Sequence, residues 1–185
     1  MKKIIFTSLI MLFTTSLIFS QDIADEATKM DNFVSKTGVV IKFIDSNLQD
    51  LKLNYGVAET KIRRIITGEE IAYFYQISKT GQYDTKTASI AEEDLGEVIK
   101  ALSSLKEDFQ TDSRSNPDYL ENKFKTEDGF QLGYYVSGKQ TSWYLVLEKY
   151  GSENTIFIKD VSTIESAFNI ASSTIEYLKE QNTVN

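Results

Sequence analysis

The sequence has no cysteine, no histidine and a single proline in 185 residues. Without imidazole there is no Ser-His-Asp triad, no Cys-His pair and no histidine zinc site. Without thiols there is no thiolate nucleophile, no iron–sulfur cluster and no disulfide, so stability must come from an apolar core. None of the nine glycines falls in a G-x-G-x-x-G, G-x-x-x-x-G-K-[ST] or G-x-S-x-G pattern. Phosphate-cradling loops and nucleophile elbows therefore have no support. Positive charge is in deficit, with 20 Lys and Arg against 27 Asp and Glu for a net charge of −7. Such a chain repels phosphate backbones and anionic lipid, and nucleic-acid binding is not expected. The one local basic cluster, Lys61, Arg63 and Arg64, reads as a solvated strand face.

The amino terminus carries the clearest signal. Lys2 and Lys3 precede an uncharged apolar run from Ile4 to Phe19, and polar residues follow from Gln21. A basic start, a short apolar stretch and a small residue before a polar start describe a secretory signal. Ser20 is that small residue, while Ile18 is larger than usual for its place. A spanning helix needs about 20 apolar residues, and this run falls short. Residues 1–20 are thus expected to be a signal peptide, and the product to be exported, periplasmic or secreted. Losing the two leader lysines takes the charge from −7 to −9.

Residues 21–185 are expected to form one α+β domain. Asp22–Ser35 has helical spacing at Ile23, Ala27, Met30 and Phe33. Alternating segments follow: Val39–Ile44, Leu51–Leu53, Ile62–Ile66, Ile71–Ile77 and Asp84–Ile90. Turns at Gly68 and Gly81 make them antiparallel hairpins. Ser89-x-x-Glu92 reads as a capping box, and Leu95, Val98, Ile99, Leu102 and Leu105 line one helical face. Asn116-Pro117 is the best internal boundary. The order then recurs, with Leu120–Phe124, an Asp128-Gly129 turn, Phe130–Val136, Trp143–Leu147 and Thr155–Lys159. A second capping box at Ser162-x-x-Glu165 opens a helix lined by Val161, Ile164, Phe168, Ala171, Ile175 and Leu178.

Gly68 and Gly138 lie 70 residues apart, as do Gly81 and Gly151. Tyr73/Trp143, Tyr75/Leu145, Ile77/Leu147 and Leu105/Ile175 keep that spacing, while Leu102 meets Ser172. Two readings fit: a duplicated ββββα unit over residues 51–110 and 118–181, or two similar units with coincident spacing. Either way, antiparallel sheets with two long helices on one face and a short amino-terminal helix are expected.

Carboxylates are the chemistry that remains. Glu69/Glu70, Glu92/Glu93/Asp94 and Glu127/Asp128 could in principle serve a glycosidase-like hydrolase. Turn acids lack the burial that raises a carboxyl pKa, and acids in a first helical turn suit the helix dipole. Ser103-x-x-Lys106 matches a serine–lysine motif without its Ser-Asp-Asn companion, and no calcium loop occurs. A non-catalytic protein with no cofactor or metal is expected. The surplus lies in aromatics: 10 Tyr, 11 Phe and one Trp. Tyr73, Tyr75 and Trp143 fall on the apolar strand faces, whereas Phe74, Tyr135 and Tyr144 fall on the opposite ones. These three are the candidate partner-binding residues, for a protein or a small apolar ligand. Contact through sheet edges, in a structural or assembly protein, is the alternative.

Overall fold

The computed structural model describes residues 27–183. The leader and the first part of the expected amino-terminal helix lie outside them. Nine strands and three helices follow in the order α1 (Lys29–Val34), β1 (Ile41–Asn47), β2 (Leu51–Lys52), β3 (Val57–Thr67), β4 (Glu70–Thr80), β5 (Thr85–Ala91), α2 (Glu92–Asp112), β6 (Leu120–Lys125), β7 (Gln131–Ser137), β8 (Gln140–Val146), β9 (Thr155–Ile158) and α3 (Val161–Thr183). The class is α+β, as expected. The first sheet is ordered β1-β3-β4-β5, with β2 also on β3, and the second β6-β7-β8-β9. All pairings are antiparallel.

Two-residue turns close the central hairpin of each sheet. Thr67 pairs with Glu70 across Gly68-Glu69, and Ser137 with Gln140 across Gly138-Lys139. Gly68 and Gly138 take φ of +63° and +56°. A glycine-first turn of this kind matches the right-handed strand twist. The register of the two hairpins coincides at the 70-residue offset: Ile65 faces Ala72 where Tyr135 faces Ser142. Beyond the hairpin the offset shifts, since Phe74 pairs with Ala91 and Tyr144 with Phe157.

Alternation puts Ile62, Tyr73, Tyr75 and Ile77 on the inner face of the first sheet, and Leu132, Tyr134, Trp143 and Leu145 on that of the second. The stripes Leu95–Val98–Leu102–Leu105 of α2 and Ile164–Phe168–Ala171–Ile175 of α3 join them in one continuous core. The helices bridge the sheets: α2 touches β4 and β5 and also β6 and β7, and α3 reaches β2 and β3 as well as β9. Across the seam the Asn54 amide donates to the Phe157 carbonyl at 2.9 Å, and the Thr87 amide to Glu148 at 3.0 Å.

Both expected capping boxes are displaced. Ala91 is the N-cap of α2 and supplies no side-chain bond. Ser89 instead stays in β5, where its hydroxyl accepts from Gln76 at 2.8 Å. At α3 the Ser162 amide donates to Asp160 at 2.9 Å, and this bond holds the Asp160 carboxyl below its ordinary range. A genuine box appears at α1, where Thr28 and Asp31 bond each other's backbone amides.

Candidate functional site

Phe74, Tyr135 and Tyr144 share the outer-face parity expected of them, but on two different sheets. Phe74 is 3% exposed and sits in a small cluster with Ile65 and Ala91. Met30, Phe33 and Val34 of α1, with Ile41 and Ala72, close over it. It is core, and its assignment as a partner contact is corrected: the amino-terminal helix covers that face. Tyr144 is 5% exposed, so little of it reaches solvent. Its hydroxyl donates to Glu121 at 2.5 Å. Burial, and then the carboxylate beside it, push the Tyr144 phenol upward. Tyr135 alone of the three stands half-exposed.

Tyr135 and Tyr144 meet on the outer face of the second sheet. Tyr119, just before β6, stacks on Tyr135 with ring centroids 6.4 Å apart, and Phe157 meets Tyr135 edge-on at 6.5 Å. These rings line an open depression of about 420 Å³, together with Gln131, Val146 and Thr155. Tyr119 is 63% and Phe157 42% exposed, so two large rings lie at the surface. Glu121 and Lys123 form one rim, with Lys123 Nζ 3.6 Å from the carboxylate. Partial burial and then the Glu121 charge raise the Tyr119 phenol. Sequence periodicity points to Tyr135 and misses Tyr119 and Phe157. The first lies outside a strand, and the second lies in a four-residue strand too short to show alternation.

Several of the other polar groups singled out in the sequence are engaged in bonds within the scaffold. Lys29 joins two of the acid groups: its ammonium meets Asp94 at 2.5 Å, and its amide donates to both Asp128 oxygens at 3.0 and 3.1 Å. Burial raises the Asp128 carboxyl. Glu70 pairs with Lys36 at 2.6 Å, and Glu92 with Lys179 at 2.5 Å. Lys61 and Arg63 both bind Asp45 at 2.8 Å, and Arg64 bonds Asn182. Ser103 bonds the Ile99 carbonyl, and Lys106 reaches Glu165 at 2.7 Å, so the serine–lysine pair is split. A larger depression of about 510 Å³ lies between α1, β5 and the β8–β9 loop. Its acids Asp31, Asp128 and Glu148 are engaged in the α1 cap, the Lys29 amide and the Thr87 amide. Among the described residues no cluster of three metal-ligating side chains occurs, and no helix is long and apolar enough to cross a membrane.

Fold and site together define a two-sheet α+β protein with one outer sheet face capped by a helix and the other open and aromatic. Comparison with protein-family models, curated proteins and solved structures finds no match.

Proposed function

We propose that this is an exported, non-catalytic interaction protein, acting in the periplasm or outside the cell, that captures a partner on the outer face of its second sheet. The supporting observation is the contiguous aromatic depression of Tyr119, Tyr135, Tyr144 and Phe157, open to solvent. Exposed apolar area of this kind, with a hydrogen-bonding rim, marks contact surfaces. The test pairs Tyr135→Ala and Phe157→Ser with the parent protein. Capture of ligand from a native envelope extract should fall at least tenfold, while Tm moves by only a few degrees. Undiminished capture by both variants would remove the reading. Export is tested separately, by fractionating cells and sequencing the amino terminus, which should begin near Gln21.

The sheet-edge alternative has one observation of its own. Among the described residues β1 is an open edge, and the preceding Val40 is 87% exposed. Asp45 sits on this strand beside Lys61 and Arg63, and charge there opposes edge-to-edge pairing. Sedimentation across a concentration series separates the two, since edge assembly grows with concentration.

A further inference from the structure

The two units answer what belongs on the open face. In the first sheet the outer positions are Ile65, Ala72, Phe74 and Ala91, with Phe43 opposite Ile65. The same register places Tyr135, Ser142, Tyr144 and Phe157 in the second, with Glu121 opposite Tyr135. Over the first set lies α1, a six-residue amphipathic helix that contributes Met30, Phe33 and Val34. That is an i, i+3, i+4 pattern, one helical face. Lysines at either end secure it, Lys29 on Asp94 and Lys36 on Glu70. Over the second set no helix lies among the described residues: Tyr119 stacks on Tyr135, Tyr144 is 5% exposed, and a depression remains that leaves Phe157 42% exposed.

We propose that this depression docks a short amphipathic helix of a partner polypeptide, apolar at i, i+3 and i+4 and bearing a lysine or arginine for Glu121. The inference rests on the reading of the aromatic face as the binding surface. An extended strand is a poor occupant. The backbone of β7 is already paired on both sides by β6 and β8, so a strand laid across the side chains would leave its own amides and carbonyls unmet. A helix satisfies its backbone internally and offers only side chains. Charge points the same way. Glu121 is the acid of the rim, where it accepts from the Tyr144 hydroxyl at 2.5 Å and pairs with Lys123 at 3.6 Å, so the preference for a cationic partner rests on the whole chain's −7.

The experiment uses the purified protein and a displayed library of lactam-stapled twelve-residue helices with randomised faces. Enriched peptides should carry three apolar residues at i, i+3 and i+4 and at least one lysine or arginine. Fluorescence anisotropy with such a peptide should show Kd raised at least tenfold by Tyr135→Ala. Thr155→Trp, which fills the depression without removing a ring, should do the same, and it guards against a variant that merely misfolds. Glu121→Gln should weaken binding about threefold and flatten its salt dependence. Enrichment without helical spacing, or equal binding by a proline-broken version of the same peptide, would overturn the helix. So would dimerisation through this face in sedimentation, abolished by Tyr135→Ala, because a second copy would then be the occupant. An apolar dye or an extended peptide that binds in a Tyr135-dependent way, where helices do not, overturns the helix and leaves the aromatic face as the site. If dye, helices and extended peptides are all indifferent to Tyr135→Ala, both readings fall.

Discussion

Phe74 and Tyr135 both lie on outer sheet faces, yet they differ in what lies above them, and mutations should expose the difference. Phe74→Ala empties a site closed by α1 and should cost about 3–4 kcal/mol, read by urea unfolding. Tyr135→Ala removes a half-exposed ring and should cost no more than about 1 kcal/mol. Gly133 is a packing glycine: an added Cβ would lie 2.6 Å from the Asn122 carbonyl oxygen and 2.7 Å from Lys123 Cβ. Gly133→Ala should therefore push β6 away and cost about 2–3 kcal/mol. Asp45 carries the clearest pH dependence. Hydrogen bonding from Arg63, then from Lys61, lowers its carboxyl to about 2. A depressed folded pKa contributes stability above the ordinary carboxyl range and loses it as pH falls through about 2. The stability gap between parent and Asp45→Asn, about 1 kcal/mol at neutral pH, should thus shrink between about pH 4 and pH 2. Asp128, raised by burial, shifts stability the other way, so the gap is a cleaner readout than either curve.

At the scale of elements, α1 is the informative one. It has no fully buried residue, and its hold is a capping box, three half-buried apolar side chains and two lysine anchors. Lys29→Met leaves Asp94, 8% exposed, without its cation and should cost about 2 kcal/mol. Apolar dye should bind the variant more strongly as Phe74 is uncovered; no change in dye binding would mean that α1 stays without the anchor. Strands and long helices are legible in the sequence because period 2 and period 3.6 are local. Helix starts are less so. Ser89 has the right residue type for a cap, but its hydroxyl is taken by Gln76 from the neighbouring strand, a partner no local pattern reveals. Asp160 caps α3 from two residues before the serine that the box pattern points to.

For the whole molecule, the single core shared by both sheets predicts one cooperative transition. Trp143, the only tryptophan, reports on the second sheet. Ile62→Ala, in the first, should lower the Trp143 fluorescence midpoint and the far-UV CD midpoint together; separate midpoints would mean two independently folding halves. The α+β class, the two long helices, the hairpin turns at Gly68 and Gly138 and the recurrence at 70 residues were all present in the chain itself, since spacing, turn residues and periodicity are properties of neighbours. Parity along a strand also sorted Phe74, Tyr135 and Tyr144 onto outer faces. Which of those faces stays open was a matter of tertiary structure alone. Burial of an outer face depends on whether a segment distant in the chain folds back over it; α1 does so for one sheet, while on the other Tyr119 and Phe157 stay exposed beside a partly buried Tyr135 and a buried Tyr144.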